Sequence, residues 1–231
     1  VPSSGIKGAI TLDDLRKLKP VFKNAGSTLH DLGDEILCLE FHTKMNTLGS
    51  EVIEGLHRAF DIAEKSYRGL VIGNQGPNFS AGANLGLLFM YAMEQEYDEI
   101  DMMIRQFQNT VMRVRYSGIP VVVAPHGLSL GGGCEMTLHA DGVQAAAETY
   151  MGLVEVGVGV IPGGGGTKEM ALRVSQKMEA GDVELNSLQN AFMNIATAKV
   201  STSAIEGYDM GILRQGDRIS MNKRLQIADA K

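Results

Sequence analysis

The chain has 231 residues, 44% of them hydrophobic, and no apolar run long enough to cross a bilayer, which is the composition of one soluble domain with a sizeable core. A formal net charge of −6, without clustered lysine or arginine, excludes a nucleic-acid footprint, so an anionic ligand must be held by a local site. The two cysteines, Cys38 and Cys134, lack metal-ligand spacing and sit among apolar residues or glycines, which fits buried thiols in a reducing, cytoplasmic compartment.

No signal peptide is visible, and the first residue is Val1 and not methionine, as expected of a piece cut from a longer chain. Residues 1–26 read as a linker or N-terminal arm with a short helix over 12–22, capped by Thr11 and carrying Asp13 and Asp14 in its first turn. Strands are expected over 27–31 and 35–41, paired through a tight turn at Gly33 and Asp34. Ser50 opens a helix to about residue 67 with Val52, Ile53, Leu56 and Phe60 on one side, and GLVIG at 69–73 reads as a buried strand. That strand delivers the chain to NQGPNFSAGAN at 74–84, a glycine-rich loop where α/β folds place ligand sites. Residues 85–117 read as two helices broken near 94–99, their methionines (Met90, Met93, Met102, Met103, Met112) filling core or interface gaps. A strand restarts at 121–124, and the C-terminal third is mainly helical, over 167–178, 185–198, 203–210 and 221–229, with a short extended link at 199–201. Strands separated by helices give an α/β fold class, divided into a core at 27–200 and a C-terminal helical segment at 201–231.

The candidate chemistry concentrates between 121 and 168. Glu135 and Glu155 lie in apolar, glycine-rich surroundings, where an unpaired charge is costly and a shifted pKa is the usual relief. GVGVIP at 157–162 fails as a dinucleotide fingerprint, having Pro162 in place of the third glycine and no suitable strand before it. PGGGGTK at 162–168 reverses the Lys-Thr order of a phosphate loop. The five histidines, His30, His42, His57, His126 and His139, show no two-ligand helix spacing, so no metal site is expected. Ser129 is outside any nucleophile-elbow motif. Two glycine-rich loops remain, SAGAN at 80–84 and LGGGCE at 130–135, each after an expected buried strand. If their backbone N–H groups converge, they make an oxyanion site; the same glycines also serve turns and close packing.

These loops resemble the crotonase (enoyl-CoA hydratase/isomerase) superfamily. The likeness rests on FSAGAN at 79–84, LGGGCE at 130–135 and GLVEVGVGVIPGGGGT at 152–167, in that order, and extends from about 27 to 213. It is closest to the hydratase domain of bacterial proteins that fuse 3-hydroxyacyl-CoA dehydrogenase to enoyl-CoA hydratase. DLGD at 31–34, LEFH at 39–42, GLVIGNQG at 69–76, IRQFQ at 104–108 and YMGLVE at 150–155 carry that narrower likeness. The resemblance implies a crotonase-like spiral of repeated strand-strand-helix units with a C-terminal helical layer. It implies an oxyanion hole from the Ala83 and Gly132 amides, with Glu135 and Glu155 as the catalytic carboxylates. It further implies substrate contacts from Lys44, Met45, Ala81, Asn84, Leu85 and Gly131.

The implied activity is that of an enoyl-CoA hydratase, a hydro-lyase of fatty-acid β-oxidation. Glu135 would activate water and Glu155 would exchange a proton with the α-carbon, with no bound cofactor beyond the coenzyme A that the substrate carries. A homo-oligomer, trimer or hexamer, and an upstream dehydrogenase fused to this domain are further implications, with no nucleic acid or membrane as partner. The chain departs from the family at Asn84, which replaces an aspartate, and around residues 44–46, which are shorter than the usual stretch near the CoA adenine. An isomerase using Glu155 alone, a non-catalytic thioester-binding scaffold and a thioester hydrolase are the alternatives. Glu135 argues against the first, and the two intact carboxylates against the second.

Overall fold

The computed structural model describes residues 10–179, 181 and 183–231. In chain order the elements begin with α1 (Leu12–Leu15), β1 (Phe22–Lys23), β2 (Ser27–Asp31), β3 (Ile36–Phe41), α2 (Ser50–Ser66) and β4 (Gly69–Gly73). Next come α3 (Leu85–Met93), α4 (Tyr97–Arg115), β5 (Val121–Ala124), β6 (Gly127–Leu130), α5 (Gly132–His139), β7 (Gly142–Ala146) and β8 (Thr149–Gly152). The chain closes with α6 (Gly166–Lys177), α7 (Glu184–Ala196), α8 (Ala204–Asp209), β9 (Arg218–Ser220) and α9 (Gln226–Ala230). Single 3₁₀ turns occupy Lys44–Asn46, Glu155–Val158 and Lys223–Leu225.

The main sheet runs β1-β2-β3-β4-β5-β7-β9. Its first three strands are antiparallel, and pairing from β3 onward is parallel. Strands β6 and β8 form a separate parallel pair. Because side chains alternate along a strand, each buried strand feeds two cores. Leu37, Leu39, Leu70, Ile72, Val121 and Val123 face the core that α2 and α5 cover. Cys38, Val71 and Ala124 face the other side, under Leu12 and Leu15 of α1 and Ile227 and Ala230 of α9.

The turn expected at Gly33 and Asp34 is present, with Gly33, Asp34 and Glu35 all at positive φ and Leu32 N donating to the Ile36 carbonyl. The first helix is shorter than the expected 12–22, because Pro20 disfavours helical geometry in the residue before it and the chain then extends into β1. Five strands were not expected. Strand β1 lies in the expected linker, β6, β7 and β8 within the central run, and β9 within the supposedly helical tail; all are two to five residues long, too short for a periodic signal. The expected boundary at residue 26 falls between β1 and β2, which pair, and the one at 200 leaves β9 in the same sheet as the core. Both cysteines are buried. Of the methionines expected to fill core or interface gaps, Met90, Met93 and Met102 are not in this chain's core but solvent-exposed, and α3, apolar on every side, buries none of its residues.

Candidate active site

Parallel pairing outside the named strands brings the two glycine loops together. Phe79 N donates to the His126 carbonyl (2.8 Å), Ser80 N to that of Leu128 (3.1 Å), and Leu130 N to that of Ser80 (3.0 Å), so residues 79–80 run alongside β6. Gly82 then sits at φ +86, where a side chain is strained. A Cβ added there would stand 2.8 Å from the Leu130 carbonyl oxygen and 3.0 Å from Gly132 N. Only glycine allows this approach, which brings the residue before Ala83 against Gly132, the first residue of α5. Among the described residues neither the Ala83 amide nor that of Gly132 donates to an acceptor. Two amides left free where two loops meet, one of them at a helix N-terminus, can receive an oxygen that becomes negative.

The 3₁₀ turn at Lys44–Asn46 is docked onto the same loop. Ser80 Oγ donates to the Asn46 carbonyl (2.7 Å), Ala81 N to that of Met45 (3.1 Å), and Leu48 N to that of Gly82 (2.9 Å). Lys44 and Met45 are exposed there, with Met45 at φ 56. Asn84 and Leu85 are also exposed, and the Asn84 side chain caps α3 by accepting from Leu87 N (3.3 Å), the task an aspartate would perform at that position.

Glu135, in the first turn of α5, is only 3% exposed. Its Oε1 accepts from Gly166 N (2.9 Å), and the Gly164 amide also donates to the carboxylate. Burial, reinforced by the negative charge of Glu155, pushes the Glu135 pKa up to about 7, against the pull of those two amides. Glu155 opens the 3₁₀ turn after β8. Both its carboxylate oxygens are buried without a hydrogen-bond partner among the described residues, and burial raises its pKa too. Gly131, at φ +53, holds β6 to β8 through Gly131 N and the Gly152 carbonyl (3.0 Å), and a Cβ on it would stand 3.3 Å from Glu155 Oε1. Gly131 therefore borders Glu155.

Glu135, Glu155, Gly131, Gly132 and the 81–83 loop thus converge as the sequence motifs imply, while Lys44, Met45, Asn84 and Leu85 form an exposed rim. Sequence reasoning gave no role in the site to Gly164, Gly166, Phe107 or His139. The PGGGG run was set aside as a failed phosphate loop, yet its amides hold the Glu135 carboxylate. A strand, β8, does precede GVGVIP, but a 3₁₀ turn follows it and no helix opens before Gly166, so rejecting a nucleotide fingerprint remains sound. Phe107 of α4 closes the site from above. A Cβ on Gly164 would fall 2.4 Å from both its ring and Glu135 Oε2, and one on Gly132 would fall 3.3 Å from the ring.

Comparison with known proteins matches residues 33–207, well over half of the chain, to the family described as Enoyl-CoA hydratase/isomerase. A "Probable 3-hydroxyacyl-CoA dehydrogenase" of Bacillus subtilis (strain 168) is 47% identical over 226 residues, which are 97% of this chain and 28% of that protein. A "Putative fatty acid oxidation complex trifunctional enzyme" of Rickettsia felis is 37% identical over 161 residues, 70% of this chain and 22% of that protein. The chain therefore spans about a quarter of the length of these relatives. Among solved structures, the enoyl-CoA hydratase of Thermoplasma volcanium GSS1 superimposes with a TM-score of 0.72 at 24% identity, covering 90% of this chain and 78% of that one. A putative enoyl-CoA hydratase of Streptomyces coelicolor A3(2) gives 0.74 at 18% identity, covering 91% and 73%. At these identities the structural likeness speaks for the fold, and the fold is the crotonase-like one that the motifs imply.

Proposed function

The chain belongs to the enoyl-CoA hydratase/isomerase family, and within it we propose that this domain hydrates 2-trans-enoyl-CoA thioesters to 3-hydroxyacyl-CoA. The observation that carries the reading is the pair of carboxylates: Glu135 buried with its pKa raised to about 7, and Glu155 with two buried oxygens that have no partner among the described residues. An isomerase needs one group to move a proton between carbons, whereas hydration needs one group for the water and another for the α-carbon.

The thioester carbonyl oxygen would lie against the Ala83 and Gly132 amides. Ionised Glu135 takes a proton from water as the water oxygen bonds to C3, and the π electrons move toward the thioester oxygen, where the two amides stabilise the enolate. Protonated Glu155 then delivers its proton to C2, so the C2=C3 bond gains one water in all. The acid form of Glu155 is favoured by its dry surroundings, and the two carboxylates titrate as a coupled pair. Lys44, exposed on the turn beside the 81–83 loop, would meet a CoA phosphate, and Met45, Asn84 and Leu85 would line the way in. The product is the substrate class of a 3-hydroxyacyl-CoA dehydrogenase, which fits a domain of a longer protein like the Bacillus subtilis relative.

The test is the decay of conjugated-enoyl absorbance when the purified protein meets crotonyl-CoA and longer 2-trans-enoyl-CoAs. Glu135→Gln and Glu155→Gln are each expected to depress kcat by about a hundredfold or more in a folded protein. Absence of hydration at every chain length refutes the reading, and wild-type turnover in either variant refutes the role given to that residue.

A further inference from the structure

One helical turn beyond Glu135, the same helix carries a histidine that the chemistry above does not use. His139 is fully buried, with Nδ1 2.7 Å from the backbone carbonyl oxygen of Glu135 and Nε2 3.1 Å from Lys168 Nζ. A carbonyl can only accept and an ammonium can only donate. The ring is therefore the neutral tautomer with its proton on Nδ1, in keeping with burial, which lowers the His139 pKa. Glu169, 1% exposed, closes the cluster: its carboxylate pairs with Lys168 (2.8 Å) and with Arg115 of α4 (2.8 Å), and stands 3.5 Å from His139 Nε2.

The ring also meets the loop that holds Glu135. Gly165 lies at φ +116, and a Cβ added to it would stand 2.9 Å from His139 Cε1 and 3.0 Å from Nε2. Its neighbours Gly164 and Gly166 are the two residues whose amides donate to the Glu135 carboxylate. We propose that His139 is a positioning residue for Glu135, tying the backbone that carries this carboxylate to the glycine loop that receives its oxygens. The inference rests on the hydratase reading for its catalytic consequence, though not for its geometry.

The charges around this arrangement come from three elements. Glu155 faces Glu135 from the turn after β8, and Lys168 and Glu169 of α6 and Arg115 of α4 face His139. Arg173, also of α6, is spent on the Leu138 and Ile212 carbonyls (2.6 and 2.7 Å). The Cys134 thiol is kept protonated by burial. Among the described residues, the charge that shifts Glu135 is that of Glu155, and Lys168 touches the imidazole whose other nitrogen meets the Glu135 carbonyl.

The experiment follows the Glu135 carboxyl by carbon-13 NMR across pH in protein labelled at glutamate, with its signal assigned by loss in Glu135→Gln, and measures kcat and KM for crotonyl-CoA beside it. His139→Phe keeps a ring of similar volume and loses both hydrogen bonds. With the loop amides displaced, the Glu135 midpoint is expected to rise by roughly half a pH unit or more, and kcat to fall about tenfold with KM changed less than about threefold. His139→Gln, which keeps a donor near the Glu135 carbonyl, is expected to recover most of both. Lys168→Met, at a half-exposed position where Glu169 keeps its pair with Arg115, is expected to fold and to move the midpoint in the same direction by a smaller amount, and it decides the matter if His139→Phe does not fold. An unchanged midpoint in the folded variants overturns the proposal, even where kcat falls. Should the wild type hydrate no enoyl-CoA, the hydratase reading fails while the NMR titration still decides the positioning role.

Discussion

Burial of Glu135 ties its ionisation to stability as well as to chemistry. Its folded pKa, about 7, lies above the ordinary 4.5, so between those values the folded state binds more protons than the unfolded chain, and stability falls as pH rises through that window. Glu155, also raised, contributes with the same sign. Glu135→Gln removes the ionisation while an amide oxygen still accepts from Gly166. The variant is therefore expected to gain stability over wild type as pH goes from 5 to 8, by about 3 kcal/mol as an upper bound. Denaturant melts at both pH values measure this, and a difference that does not change with pH counts against a buried, raised carboxylate. Holding such carboxylates charged in a dry site sets stability against the proposed activity at both Glu135 and Glu155. The position of Glu135 was legible in the sequence because a glutamate between glycines and apolar residues has no local means of solvation. Its partners were not, since Gly166 lies thirty-one residues further on and nothing in the string says that PGGGG folds back onto α5.

At the scale of elements, the site is the meeting of three glycine-bearing segments: residues 80–84, the start of α5, and residues 163–166. Each needs glycine for a different reason. Gly82 lets two loops touch, Gly131 leaves room for Glu155, and Gly164 leaves room for both the Phe107 ring and Glu135 Oε2. A methyl group at Gly164 would stand 2.4 Å from each of the last two, so both must move. Gly164→Ala is expected to lower kcat by on the order of a hundredfold through displacement of Glu135, with a small effect on melting temperature, because the Phe107 ring is only partly buried and can yield. Wild-type turnover in this variant would show that Glu135 can shift with the Phe107 ring and keep its function. The long elements of the fold, α2, β4 and α4, were readable because sustained periodicity or a bounded apolar run names them. The short strands β6, β8 and β9 were not, since three or four residues carry no period and their pairing is decided by partners far along the chain. The same limit hid the surface character of α3: an all-apolar helix reads as core, and only the tertiary structure places it outside.

At the scale of the molecule, the two faces of the sheet divide the labour. One face, packed by α2 and α5, leads to the site through the core around Leu70, Ile72, Val123 and Met136. The other is closed by α1 and α9, the two ends of the described chain, over Cys38, Val71 and Ala124. The N-terminal helix is pinned there by Leu12 N donating to Gln75 Oε1 (2.7 Å), and by Arg16 paired with Glu40, which also bonds His30 (2.9 Å). Residues near both ends thus hold a face that contributes no group to the chemistry. Ile227 of α9 is the test of that separation: it is 1% exposed, and its Cδ1 packs 3.1 Å from where a Cβ on Gly73 would be. Ile227→Ala is expected to cost about 2–4 kcal/mol of unfolding free energy from lost burial and the cavity left behind. Turnover per folded molecule at a permissive temperature should stay within about twofold of wild type, because Glu135, Glu155 and the two amides are carried by the opposite face. A large fall in kcat of the folded variant would mean that the two faces are mechanically coupled, and that α9 belongs to the support of the active site.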